Sequence, residues 1–151
     1  MFAHADTPAV HQRLIEALYC DTMLLADEAR EYGEHHARQD AIMLDPATSV
    51  LFSCESLRLT TRLMHLLAWL LNHRAIAAGE LDAERPSARL VSVAPTEATL
   101  RPQLPERAVA LIQASEGLYR RAVLLDTAMF RSDPSISPAR AMQQWLAINL
   151  R

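Results

Sequence analysis

Five polar residues, Glu55, Arg58, Arg62, His65 and Asn72, recur at spacings of 3, 4, 3 and 7. That is the rhythm of one helix face. Glu55 can pair with Arg58 one turn on, and Arg62 stacks a further turn along. The chemistry on offer is charge recognition, and two readings stay open: a solvated face with ordinary intrahelical pairs, or a recognition strip for a partner protein. His35 and His36 with Glu31 one turn earlier invite a metal site, but adjacent helical residues point about 100° apart, so only one histidine shares a face with Glu31. The Glu-x-x-His pairs of bundle di-metal sites do not occur. His65 and His73 are eight residues apart, and neither sits in a nucleophile pattern. The three glycines are too scattered for a phosphate loop. No motif for acyl, phosphoryl or hydride transfer is present, so no enzyme, cofactor or metal is expected.

Composition narrows the partners. A net charge of −3 argues against a nucleic-acid module, which carries a concentrated basic face. No short recognition helix follows a tight turn either. All fifteen basic residues are arginine, in keeping with a GC-rich bacterial genome. Cys20 and Cys54 have no CxxC partner and read as small core residues of a protein in a reducing cytosol. The amino-terminal Met-Phe-Ala-His-Ala-Asp does not look like a signal peptide. The longest apolar stretch, Leu63 to Leu71, is broken by His65 and falls short of the roughly 20 residues a membrane span needs.

Helical elements must position these groups. Thr7-Pro8 is a helix start, and Val10, Leu14, Leu18, Leu25, Ala29 and Tyr32 follow every three or four residues, widened by Ile15 and Leu24. This predicts a first helix over about residues 8 to 38, with fraying and a loop after Gly33. Asp45-Pro46 starts a second helix running to Ala78, with Gly79 as its left-handed cap. One stripe on it is Phe52, Leu59, Leu63, Leu66 and Leu70; beside it run Leu57, Met64, Ala68, Leu71 and Ala75. Residues 80 to 104 carry Pro86, Pro95 and Pro102, with Pro105 just beyond, and a strand-like Arg89 to Val93, and read as a long connection packed across the bundle. A third helix runs from about 105 to 131 on Leu111, Ser115, Leu118, Ala122, Leu125 and Met129. Glu116 and Asp126 interrupt its second seam, and Gly117 suggests close approach of a neighbour. After a linker, Ser137-Pro138 opens a short helix with Met142, Trp145, Leu146 and Leu150 on one side, too short to be stable alone.

The expected fold is therefore all-α: a bundle of three long helices over residues 1–131, with 132–151 as linker and short C-terminal helix or flexible tail. Leu63 to Leu71 is apolar almost all round, and a helix of that kind needs cover on every side. Three helices leave part of it bare, so a homodimer is expected, its interface at Leu63, Leu66, Leu67, Trp69 and Leu70.

The run Glu-Ser-Leu-Arg-Leu-Thr-Thr-Arg-Leu-Met from Glu55 to Met64, with Ala68-Trp69-Leu70-Leu71, Arg74 to Glu80 and the later Leu118-Tyr119, resembles the RcdA family, alphaproteobacterial regulators of CtrA degradation. Hydrophobic periodicity alone would not dictate that order. The resemblance implies a homodimeric three-helix bundle without enzymatic activity. It would be an adaptor that helps deliver cell-cycle regulators to the ClpXP protease, works with a CpdR-like protein, and is cytoplasmic with recruitment to the cell pole. Partner-facing candidates are Glu55, Arg58 and Arg62, with Arg140 and Trp145 in the tail. The alternatives are a dimeric scaffold for other regulators with no protease link, or a small-molecule or metal sensor.

Overall fold

The structure, a computed structural model, describes residues 7–82, 89–132, 142 and 146. Helices are α1 Thr7–His35, α2 Ala37–Ile42, α3 Pro46–Ala77 and α4 Glu106–Ser132, with a 3₁₀ turn at Arg101–Gln103 before α4. The all-α bundle of three long helices is as expected. The loop expected after Gly33 instead breaks only at His36, whose φ of −126° interrupts the helix before α2. Tyr32 closes that corner by donating to Asp40 at 2.7 Å.

Pairings fix the directions. Glu16 of α1 meets Arg74 of α3 at 3.1 Å, and Tyr32 lies edge-on to Phe52, so α1 and α3 are antiparallel. Arg62 meets Ser115 at 2.8 Å and Trp69 meets Asp126 at 3.2 Å, so α3 and α4 run parallel. Two parallel neighbours cannot be joined by a short turn. The chain must return along their whole length, roughly 40 Å for a helix of α4's size, and the connection between α3 and α4, described over 78–82 and 89–105, is that return strap.

Local signals start and stop α3 where the sequence places them. Asp45 accepts from the Thr48 hydroxyl at 2.6 Å and from the Thr48 amide at 3.1 Å; the hydroxyl first and then the amide hold the Asp45 carboxyl below its ordinary range, and the amide bond satisfies one orphan donor. Gly79 has φ +74°, as the left-handed cap requires. Gly117 is different: a Cβ there would meet only the Arg120 side chain at 3.9 Å, so no backbone approaches closely.

The core is built from Ile15, Leu18 and Leu25 of α1, the Phe52 to Leu70 stripe of α3, and Leu111, Leu118, Ala122 and Leu125 of α4. Val10, Leu14 and Leu24, expected on the buried side of α1, are exposed. The core stripe is turned towards Ile15, Thr22 and Tyr32. Cys20 and Cys54, expected in the core, are also exposed. The strand-like Arg89 to Val93 forms no ladder; it lies in the extended strap. The tail expectation falls almost entirely outside the described residues.

Two glycines should respond in opposite directions. Gly79→Ala forces a left-handed alanine and should lower stability by about 1–2 kcal/mol. Gly33→Ala, in a helical site with nothing within 4 Å, should raise it by about 0.5–1 kcal/mol. Urea unfolding midpoints check both, and the reverse order would contradict this account of the caps.

Candidate functional site: a buried polar staple and an uncharged outer face

The Glu55–Arg58–Arg62 strip is neither a solvated face nor a free recognition surface. Glu55 and Arg62 are each only 1% exposed, lying under the strap. Arg62 donates from Nη1 to Ser115 Oγ at 2.8 Å and from Nη2 to the Ala94 carbonyl at 3.3 Å, with Glu116 Oε1 3.9 Å away. Glu55 accepts from the Thr96 hydroxyl and, at 2.7 Å, from Arg58. Glu116 accepts from the Thr96 amide at 2.9 Å and from Arg101 at 2.6 Å, and Arg101 also reaches the Thr96 carbonyl at 3.2 Å. A strap crossing a bundle buries peptide groups that have no secondary-structure partner. The charged side chains of α3 and α4 supply those partners.

Burial works against the charge on Arg62 and pushes its pKa down, while Glu116 and then Glu55 pull it back up. The site thus holds a buried cation between two buried carboxylates, an arrangement that is costly to break. Of the three predicted strip residues only Arg58 keeps a partly exposed side chain, at 46%. His65 is half-buried with Nδ1 lacking a hydrogen-bond partner among the described residues, and Asn72 is exposed.

A second anchor holds the strap further along. Asp126 accepts from Trp69 Nε1 at 3.2 Å and from Arg89 Nε at 2.7 Å, and Arg89 also lies 4.5 Å over the Phe130 ring. Tyr119 donates its hydroxyl to the Val91 carbonyl between the two anchors. Thr96, Arg89, Arg101 and Ser115 do not read as site residues in the sequence, where Ser115 falls in the α4 stripe and Arg89 opens the strand-like run. The available signal was the acidic interruptions Glu116 and Asp126 in α4, ten residues apart, which call for basic partners that the loop carries. Trp69 stacks edge-on with His73 at 4.5 Å. Burial lowers the His73 pKa below its ordinary 6.5, opposed by the charge of Asp126.

The expected dimer residues are also relocated. Leu63, Leu66, Trp69 and Leu70 are buried in the protomer's own core, and Leu67 is partly buried. One subunit does shield that half of α3. The other half is bare: Val50, Leu57, Met64 and Leu71 are 65, 69, 65 and 48% exposed. They repeat every seven residues, and Ser53, Cys54, Thr60, Thr61 and Ala68 fill the gaps, all exposed. Within about 60° of Leu57 around the helix no side chain carries charge; Arg58 lies about 100° round. A sustained seven-residue apolar repeat is the pattern of a helix-pairing seam. Met64 also borders an apolar groove of about 350 Å³ between α1 and α3, lined by Ala26, Ala29, Gly33, Leu63 and Leu67 among others. No group of three or more His, Cys, Asp or Glu side chains that could hold a metal occurs among the described residues. Nor is any helix among them long and apolar enough to cross a membrane. Arg140 and Trp145 lie outside the described residues.

Residues 6–149 match a family model described as a protein of unknown function, DUF1465. The crystal structure of RcdA from Caulobacter crescentus CB15 is similar at 33% identity and a TM-score of 0.66, covering 77% of this chain and 90% of that one. No curated protein matches.

Arg62→Ala should cost about 3–5 kcal/mol, because it removes the buried cation beside Glu116 and Glu55 and leaves the Ala94 carbonyl without its donor. Arg62→Lys should rescue it poorly, since an ammonium cannot fork to Ser115 and Ala94. Trypsin should then cut at Arg89 or Arg101 in either variant before the helices yield. An uncut strap would refute the staple. Stability should also fall as pH drops from about 6.5 towards 5, because the unfolded chain binds a proton at His73 that the folded chain resists. Replacing the imidazole (His73→Gln) should flatten that slope in thermal unfolding followed across pH.

Proposed function

The chain belongs to the RcdA family, and from that membership we propose that it is a non-enzymatic adaptor promoting ClpXP-dependent degradation of cell-cycle transcriptional regulators. The observation that carries this reading is the likeness to RcdA across most of both chains at 33% identity. The site chemistry is compatible with it. The buried charges hold the strap, a structural task, and the largest uncharged surface on α3 faces outward, where a protein partner can reach it.

On this reading the protein is a homodimer, with the Val50–Leu57–Met64–Leu71 seam as its self-association face in place of Leu63, Leu66, Leu67, Trp69 and Leu70. Two copies present two sets of docking contacts, so weak individual contacts gain apparent affinity through effective concentration. Arg58, with Arg140 and Trp145 of the tail, forms the candidate cargo-facing set. Glu55 and Arg62 leave that set, because their polar atoms are already engaged beneath the strap. The ClpXP link, the CpdR-like partner and residence in the cytoplasm with recruitment to the cell pole belong to the same proposal.

Reconstituted degradation tests it. Adding the protein to ClpXP and a CpdR-like partner should shorten the half-life of a cargo regulator, and Arg58→Ala should reduce the effect at a temperature where the variant, which also loses its ion pair to Glu55, is still fully folded. Unchanged half-lives across candidate regulators would favour a scaffold with no protease link. Light scattering should give twice the chain mass, reverting to the monomer in Leu57→Glu/Met64→Glu. A monomeric wild type at micromolar concentration would remove the dimer.

A further inference from the structure

The outer face of α3 carries a second row of residues beside the first. Between the large side chains of Val50, Leu57, Met64 and Leu71 run the small ones of Cys54, Thr61, Ala68 and Ala75, also seven residues apart. Cys54, Thr61 and Ala68 are exposed and Ala75 is half-buried. Large and small thus alternate at steps of four and three along the helix, the spacing of the two contact positions in a helix pair. On a straight helix both rows drift about 20° per seven residues. Two such faces stay in contact only by coiling left-handed at a crossing of about 20°.

The sizes choose a direction. In a parallel pair each residue meets its own equivalent. Layers of two leucines or two methionines then hold the helices apart and leave hollows at the layers of two small side chains. An antiparallel pair sets large against small. Where the numbers of facing residues add to 125, every large one has its match: Leu57 with Ala68, Met64 with Thr61, Leu71 with Cys54 and Val50 with Ala75. A two-fold axis repeats each match. The same register overlaps nearly the whole helix. α3 is Pro46–Ala77, so Ala77 of one copy comes level with Thr48 of the other, an overlap of about 45 Å. A slip of seven residues either way shortens the overlap. The register also brings the corner with exposed Ile42 and Met43 to the corner of the second copy with exposed Leu81. A contact strip about one helix diameter wide has a footprint of roughly 900 Å² over both copies, at the small end of specific interfaces and the size of an exchanging pair.

We infer that α3 pairs with α3 of a second copy, antiparallel and in this register, each large side chain seated over a small one across a two-fold axis. The inference rests on the proposed self-association face and adds its direction and register. An antiparallel pair brings the same flank of both helices together. Arg58 and His65 flank the seam on the strap side, so the two copies place them along one edge. There the two Arg58 side chains stand nine residues apart along the axis, about 14 Å. One partner protein can touch both, and that edge is complete only in the dimer.

Two measurements on the full chain test the pairing, both at exposed positions. In sedimentation, Ala68→Leu should weaken self-association about tenfold or more by crowding Leu57 of the second copy. Adding Leu57→Ala should restore the wild-type constant to within about threefold, because the matched pair is then reversed. A double variant no tighter than the single one overturns the register. Disulfide trapping reads the direction. In Cys20→Ser protein, Leu71→Cys should link to Cys54 of the second copy under mild oxidation. Positions 54 and 71 are about 25 Å apart on one helix, so that bond cannot close within a chain. Cys20→Ser alone should stay unlinked, as should the Leu71→Cys protein that also carries Cys54→Ser. A link in either single-thiol protein marks a parallel pair and overturns the direction, and so does a two-thiol protein that forms none. A wild type that is monomeric at micromolar concentration removes the self-association reading itself, whereas a dimer that fails both tests removes only the antiparallel register.

Discussion

Everything in this fold answers to one constraint: α3 and α4 are neighbours that run the same way. An antiparallel pair closes with a few residues, as α1, α2 and α3 do through short connections. A parallel pair needs a return as long as the helices, and that return has to lie in the groove between them. Its peptide groups lose water there, so each buried one needs a partner. Thr96 is the clearest case, with its amide on Glu116, its carbonyl on Arg101 and its hydroxyl on Glu55. An apolar groove could bind the strap but would leave it free to slide. Charged partners at fixed heights on α3 and α4 select one register, because a shift of a single residue would strand a buried cation or carboxylate, at a cost of several kcal/mol.

That demand divides α3 into three sectors and explains why its sequence looks greasy and charged at once. One sector, Phe52 to Leu70, enters the core. A second, Glu55, Arg62 and Trp69, grips the strap through α4, and here even the tryptophan is used for its N–H as well as its area. The third faces outward and has no intramolecular task among the described residues. Its lack of charge is therefore informative. The exposed faces of α1 and α4 carry Asp27, Arg30, Glu34, Arg120 and Arg121, the ordinary composition of a solvated helix, whereas α3 shows water a seven-residue apolar repeat over six turns.

The fold was largely legible in the sequence because helix starts, stops and one apolar stripe per helix are local signals. Asp45-Pro46 and Gly79 place α3 within about a residue, and the α4 stripe is the one seen. What local signals cannot carry is which of two adjacent apolar stripes meets the core. On α1 the spacing admits Val10, Leu14 and Leu24 beside Ile15, Leu18 and Leu25, yet those three face outward and the polar Thr22 faces inward; on α3 it does not separate the buried and bare halves of Leu63 to Leu71. The direction of α4 relative to α3 is not a local property either, so the strap's necessity was invisible. The polar face of α3 looks like a surface for partners because its own partners lie 32 to 57 residues away in the chain. The family likeness survived these errors, since residue order along α3 does not depend on knowing which face is buried.

The same sectoring bears on how a small all-helical protein can hold a binding face without aggregating. An uncharged seam four apolar residues long is a liability in a free protomer, and a buried polar staple cannot relieve it, because it acts on another sector. Cover must come from something that leaves when a partner arrives. A long intramolecular element integrated into the core could not do so, since displacing it would unfold the bundle. A separate molecule, a second copy of the chain included, can, because its docking is no part of the fold it covers. Stability held by the core and strap on two sides of α3 is what leaves the third side free to exchange occupants.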